Sequence, residues 1–148
     1  MGSKDRTIYV YSTANGTLVA RLQGHQASIC SLANFGDFFA SGGDNGCGSL
    51  IIWSPVEWKP LNRVSLHSAA LTCIIDLLDG THLLTAGYDK QIIVYNYRKN
   101  AVKFDVNTNK SPITSMGLCS QGRKLVTAGL DSTLIVWSIF IQVFQSLS

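Results

Sequence analysis

The 148-residue sequence lacks any long apolar run. Nowhere do about 18 apolar residues follow one another, as a membrane-spanning helix would need. The first residues, MGSKDRTIYVY, contain no apolar stretch of the kind that directs secretion. The pattern indicates a protein that neither crosses a membrane nor is exported, and a cytoplasmic location is expected, with the nucleus as the alternative.

Charged side chains are also scarce. They make up 14% of the residues against 46% hydrophobic ones, and the net charge is only +3. Lys and Arg stand singly, without the basic clusters that are typical of nucleic-acid or acidic-membrane surfaces. The composition predicts a packed core and does not favour nucleic acid as a partner.

The four cysteines are far apart, at Cys30, Cys47, Cys73 and Cys119, and none belongs to a C-x-x-C pair. The usual zinc and redox signatures are therefore missing, and neither a metal site nor a cofactor is expected. Free thiols in a reducing compartment fit the spacing. Cys30, Cys73 and Cys119 lie in short apolar runs, which predicts that they are core residues.

What the sequence does contain is a 42-residue repeat. The segments TIYVY, SLIIW, QIIVY and TLIVW end at aromatic residues separated by that interval, namely Tyr11, Trp53, Tyr95 and Trp137. Each period holds short β-branched and aromatic runs divided by turn pairs such as Asn15-Gly16, and no stretch has a helical apolar period. Four short strands in 42 residues predict one blade of a β-propeller.

These residues resemble the WD-repeat (WD40) family. One repeat carries Gly24-His25, the turn SGGDN and Trp53, and the next two carry TAGYD with Tyr95 and TAGLD with Trp137. The resemblance extends from Met1 to Ser138. It implies an all-β, incomplete WD40-type propeller of about three and a half four-stranded blades: two strands, two whole blades and then three strands.

In that family a buried hydrogen-bonded relay ties the strands of each blade together. The resemblance places it at His25, Ser41 and Trp53, with Asp44 or Asn45 as the acid. In the following repeat it would use His67, Thr85, Asp89 and Tyr95, with a phenol replacing the indole donor. In the last repeat Asn109 stands at the histidine position, which leaves Thr127, Asp131 and Trp137.

A serine, a histidine and an aspartate together are also compatible with a catalytic triad. Neither Ser41 nor Thr85 lies in a G-x-S-x-G turn, and the same set recurs in successive repeats. Recurrence favours a structural role, so no catalytic residue and no enzymatic activity are expected.

The repeat divides the chain into a half blade (1–24), two blades (25–66 and 67–108), a partial blade (109–138) and an atypical tail (139–148). Propellers close with about four to eight blades. We therefore expect a fragment of a longer propeller, completed by further blades in cis, or else a ring that two copies close together.

The predicted function is a protein-protein interaction scaffold, without a small-molecule substrate. The resemblance places candidate partner contacts in turns on one face, at Asn45, Cys47, Lys90 and Ser132. On the opposite face Trp58, in PVEWKP, either anchors an interface or folds back on its own blade.

Two alternative functions remain open. The segment Tyr95-Asn96-Tyr97-Arg98 resembles the W-D-x-R box by which some propellers dock to adaptors of cullin-type ubiquitin ligases, although Asn96 replaces the aspartate. Arg98 is accordingly a further candidate contact, and the chain would then be a substrate receptor. The other alternative is a propeller associated with RNA or DNA.

Overall fold

A computed structural model describes residues 3–44, 48–106, 109–119 and 124–139. Within these ranges the chain consists of thirteen β-strands, and no helix there is long and apolar enough to span a membrane. The strands form four antiparallel sheets, each built from consecutive strands. The all-β prediction is confirmed.

The first sheet contains β1 (Thr7–Tyr11) and β2 (Leu18–Gln23). The second contains β3 (Ile29–Phe35), β4 (Phe38–Gly43), β5 (Ser49–Trp53) and β6 (Pro60–Ser65). The third contains β7 (Leu71–Asp76), β8 (His82–Gly87), β9 (Ile92–Asn96) and β10 (Ala101–Val106). The fourth contains β11 (Ile113–Cys119), β12 (Lys124–Gly129) and β13 (Leu134–Ser138). The predicted series of two, four, four and three strands is what the structure shows, and these sheets do not close into a ring.

The sheets pack face to face, because alternate residues of each strand point to opposite sides. On β5, Leu50 and Ile52 pack toward the following sheet, where they meet Tyr95. Ile51 and Trp53 pack toward the preceding sheet and meet Ile8 and Leu22. Trp53 and Tyr95 are fully buried, whereas their counterpart Trp137 is only partly buried in the last sheet.

The first strands of neighbouring sheets are also joined by hydrogen bonds. The Ser31 hydroxyl donates to the Leu71 carbonyl at 3.1 Å, and the Thr72 hydroxyl donates to the Ile113 carbonyl at 2.7 Å. Each of these strands shifts register near its start, as in a β-bulge. The side chains of the first strands thus hold one blade at a fixed distance from the next.

The core prediction for the cysteines is wrong in two cases. Cys73 is partly buried, but Cys30 and Cys119 are exposed. An apolar run alone does not indicate which face of a strand a residue occupies. Cys30 lies at the bulge of β3, and Cys119 ends β11, where its thiol contacts the Lys124 carbonyl at 3.6 Å. Cys47 lies outside the described residues.

Candidate functional site

The most complete polar relay lies in the third sheet. His67 places Nδ1 2.9 Å from a carboxylate oxygen of Asp89 and Nε2 2.9 Å from the Thr85 hydroxyl. Because a carboxylate only accepts, Nδ1 carries the hydrogen, and Nε2 of the neutral ring accepts from Thr85. Burial lowers the pKa of His67 although Asp89 acts to raise it. Asp89 also accepts the backbone N–H of Ser68, so the relay fixes the loop that leads into the blade.

Tyr95 does not join this relay, so the predicted phenol donor is wrong. Its hydroxyl donates to Asn100 Oδ1 at 2.5 Å and accepts from Asn62 Nδ2 at 3.0 Å. A phenol carries its oxygen at the far end of the ring, whereas an indole carries its N–H on the side. The hydroxyl therefore passes Thr85 and reaches a turn, and the Thr85 oxygen, whose hydrogen is donated to His67, lies 3.4 Å from the Ile93 carbonyl.

The second sheet contains a relay built on His25, Ser41 and Trp53. The Ser41 hydroxyl lies 2.5 Å from His25 Nε2 and accepts the Trp53 indole N–H at 2.8 Å. The Ser49 hydroxyl lies 3.4 Å from His25 Nδ1, and the assignment of Asp44 or Asn45 as the acid stays a prediction. Burial and the nearby Arg63 lower the pKa of His25 to about 4, so its ring is neutral at pH 7.

The turn after β4 is longer than its counterparts in the next two blades. Asp44 donates its backbone N–H to the Ser28 carbonyl at 2.7 Å, and the turn that it begins is about two residues longer than its counterparts. Asn45, in that turn, lies outside the described residues. Ser49, at the start of β5, lies beside the histidine.

The last sheet retains half of the relay. Trp137 donates its indole N–H to the Thr127 hydroxyl at 3.0 Å. Asn109, at the histidine position, donates instead to the Lys90 carbonyl of the preceding blade at 3.2 Å. Asp131 accepts both the backbone N–H and the hydroxyl of Thr133, and hydrogen bonds from Thr133 and Ser111 lower its pKa below 3.8. An aspartate without its histidine thus stabilises its own turn.

The chemistry available to these groups is limited by burial. Ser41 and Thr85 are 0% exposed and Thr127 is 2% exposed. Their oxygens are engaged by neighbouring side chains or carbonyls. No cluster of three potential metal ligands occurs in the part of the chain that the structure describes. The arrangement holds strands together and offers a substrate no access to a nucleophile.

Two of the predicted contact residues occupy equivalent left-handed turns. Lys90 and Ser132 are exposed and have φ values of 70° and 62°. Arg6 and Gly48 occur one repeat apart in the same series, with φ values of 66° and 40°. At Gly48 a Cβ would lie 1.9 Å from the His67 carbonyl oxygen, so only glycine fits there. Asn45 and Cys47 are outside the described residues.

A recess between these turns was not anticipated from the sequence. It has a volume of about 610 Å³ and lies where the second and third sheets meet the first strand of the fourth. Tyr88, in the turn after β8, is 44% exposed beside it. The sequence signal that could have indicated Tyr88 is the presence of an aromatic residue inside the TAGYD turn. The recess is lined by Cys30, Asp44, Ala69, Ala70, Thr72, Tyr88 and Thr114.

The two remaining candidate contacts interact with their own blades. Trp58 is partly buried against Phe39, with ring centroids 6.4 Å apart, so it folds back on its blade. Arg98 is exposed, but its Nε donates to the Gly80 carbonyl at 2.8 Å, and its guanidinium lies 6.0 Å from the Tyr97 ring centroid. The proposed docking box at Arg98 stays a prediction.

Comparison with known proteins identifies the family to which this architecture belongs. The WD40 family model, described as "WD domain, G-beta repeat", matches residues 16–54, 58–96 and 101–138. Similar proteins include Autophagy-related protein 16 of Arabidopsis thaliana, which is 24% identical over 93% of this chain and 27% of its own length. Small ribosomal subunit protein RACK1y of Oryza sativa subsp. japonica is 26% identical, over 93% of this chain and 43% of its own. WD repeat-containing protein 55 of Arabidopsis thaliana is 24% identical, over 92% and 38%. The chain spans less than half the length of each of these relatives, and it belongs to the WD40 family.

Proposed function

We propose that the chain is a protein-interaction scaffold of the WD-repeat type with no catalysis of its own. The observation that carries this proposal is the burial of every relay hydroxyl. Ser41 and Thr85, the two residues that would serve as nucleophiles in a triad, are 0% exposed and hydrogen-bonded inside their blades. Side chains that resemble catalytic groups therefore stabilise a frame, and the turns that the frame holds are free to contact partners.

The partner surface that we propose is centred on the recess at Tyr88. Exposed aromatic side chains are frequent anchors of protein interfaces because they bury a large area with few rotatable bonds. Ala69 and Ala70 leave open space beside the ring. The position is also rigid, because Tyr88 donates its backbone N–H to the Ala70 carbonyl at 2.9 Å and the relay through Asp89 fixes Ser68. The partners are other proteins.

Site-directed photo-crosslinking tests the proposal. A benzophenone side chain at Tyr88 is compared with one at Leu78, which is 75% exposed at the opposite end of β8. We expect saturable adducts with specific proteins at Tyr88, and competition by the unlabelled chain. Once a partner is identified, Tyr88→Ala is expected to weaken its binding by roughly tenfold or more, while Leu78→Ala leaves binding unchanged.

The same experiment contains the result that contradicts the proposal. Equal crosslinking at both positions, or equal losses for the two alanine variants, would show that the Tyr88 recess is not the partner surface. A substrate turnover that disappears in Ser41→Ala, while the variant remains folded, would show that the relay is catalytic.

A further inference from the structure

A second histidine cluster lies outside the relay, at the opposite end of β8. His82 begins this strand and is buried. Its Nδ1 is 2.5 Å from Asp79 Oδ2, and its Nε2 is 3.2 Å from Asn96 Nδ2. In the neighbouring blades Phe38 and Lys124 stand at the equivalent strand positions in place of the histidine.

The hydrogen bonds of Asn96 determine the protonation of the ring. Asn96 Oδ1 accepts the backbone N–H groups of Arg98 at 3.1 Å and Lys99 at 2.8 Å. The amide orientation is therefore fixed, and its NH₂ group points at His82. Nε2 of His82 must then accept, and Nδ1 carries the hydrogen that is donated to Asp79.

A proton on Nε2 would bring two donors face to face. Asn96 could accept from the protonated ring only by rotating its amide, which would remove the acceptor from Arg98 and Lys99. We propose that His82 and Asn96 form a pH-sensitive switch, in which protonation of His82 releases the turn from Asn96 to Asn100.

Several charged groups lie around His82. Asp79 faces Nδ1 and stabilises an imidazolium, and Asp76 lies at the end of the adjacent strand, β7. Arg98 and Lys99 lie on the turn, and Lys124 begins β12 in the sheet packed against this face. Partial burial acts to raise the pKa of Asp79, but hydrogen bonds from His82 and Thr81 outweigh it and hold that pKa below 3.8. Asp79 consequently remains a carboxylate at mildly acidic pH.

The turn is connected to the preceding blade. Asn100 Oδ1 accepts from the Tyr95 hydroxyl and from Asn62 Nδ2, at 2.5 Å and 2.8 Å. Asn62 belongs to β6 of the second sheet. Movement of the turn therefore loosens a contact between two blades, and it displaces Arg98 and Tyr97 at the surface.

The preceding blade supplies an internal control without a histidine. There the hydroxyl of Ser54, one repeat before Asn96, accepts the N–H groups of Val56 and Glu57 at 3.3 Å and 3.2 Å. The strand residue opposite is Phe38. The two turns thus share the same cap, but the strand residue opposite is a phenylalanine in the preceding blade and a histidine in this one.

Amide-resolved hydrogen exchange on the 148-residue chain tests the switch. Protection factors, corrected for the intrinsic pH dependence of exchange, are compared at pH 8 and pH 5. We expect the protection of Arg98 and Lys99 to fall about tenfold, as for the loss of one hydrogen bond, and that of Val56 and Glu57 to stay constant. A parallel fall in both turns, or no fall in either, overturns the proposal.

Two variants separate the switch from general acid destabilisation. In Asn96→Asp the second carboxylate oxygen accepts from protonated His82 while the first still caps the turn, so the turn should stay protected at pH 5. His82→Gln cannot be protonated and should make the protection of Arg98 and Lys99 independent of pH. If either folded variant shows the wild-type fall, protonation of His82 is not its cause.

Discussion

At the scale of single residues, the Ser41 hydroxyl is the centre of its blade, because it contacts both His25 and Trp53. Ser41→Ala leaves two buried groups without this partner and should lower the free energy of unfolding by about 1–3 kcal/mol. Chemical denaturation measures the loss. A double-mutant cycle with His25→Gln should give a coupling energy, and strictly additive losses would show that the two residues do not share a network.

Tyr95 provides the complementary prediction, because its hydroxyl belongs to the turn and not to the relay. Tyr95→Phe should cost about 0.5–1.5 kcal/mol. In double-mutant cycles it should couple to Asn62→Ala and be additive with Thr85→Val. Coupling of Tyr95→Phe to Thr85→Val alone would show instead that the Tyr95 hydroxyl belongs to the relay.

The low pKa of His25 links stability to pH. Unfolded, the ring titrates near 6.5, and folded, near 4, so the unfolded chain binds the proton more tightly. The stabilisation is present above pH 6.5 and is lost as the pH falls from 6.5 toward 4. His67, whose pKa is also lowered, acts in the same direction.

From these values His25 should account for a loss of about 2 kcal/mol in the free energy of unfolding between about pH 7 and pH 5. Denaturation curves at the two pH values measure it. His25→Gln, although less stable at pH 7, should lose less on acidification by that amount. Equal losses in both proteins would mean that the folded ring takes up a proton as readily as the unfolded one.

At the scale of elements, the turn before the third strand of each blade contains one residue in the left-handed backbone conformation. This residue is a glycine only in the second blade. A side chain in this conformation costs about 1–2 kcal/mol, so Lys90→Gly should stabilise the chain by about 0.5–1 kcal/mol after the entropy of the glycine is included. Gly48→Ala should destabilise it by about 1–3 kcal/mol, because its Cβ would overlap the His67 carbonyl. Thermal melts of the two variants should shift in opposite directions.

The strands and their order were predictable because the repeat sets them. A 42-residue interval between aromatic residues, with alternating apolar positions, determines where strands begin and which face is buried. The relay in the third sheet has the pairs His67–Thr85 and His67–Asp89 that the resemblance implies. An aromatic residue at position 95 was not enough to predict its hydrogen-bond partner, since the direction in which the polar atom points depends on the shape of the ring.

Other features depend on geometry that no local pattern records. Ser49 reaches His25 from the start of β5, where the next two repeats carry Gln91 and Thr133 instead. Cys30 is exposed because it lies on the outward face of β3, whose residues alternate regularly between the two faces. The recess beside Tyr88 forms only when three sheets are packed together.

At the scale of the whole molecule, the last sheet presents an apolar face that its counterparts bury. Leu134 is 72% exposed and Val136 is 62% exposed, whereas Ile92 and Val94, at the same positions one repeat earlier, are 3% and 2% exposed. On the first sheet Tyr9 and Tyr11 are exposed on the opposite side. Further blades in cis, or a second copy, would cover surfaces of this kind.

We therefore expect the isolated 148-residue chain to self-associate. Exposed Leu134 and Val136 beside a strand edge form a template for contact between copies. Sedimentation velocity should show species larger than 16.1 kDa that grow with concentration. The double variant Leu134→Ser with Val136→Thr should shift the distribution toward monomer, since it removes apolar area from this face without touching the relay. Leu78→Ser is the control, because Leu78 is equally exposed but lies in the turn before β8. A wild-type chain that remains monomeric over a wide concentration range, or one whose association responds equally to both changes, would show that the face of the last sheet does not drive assembly.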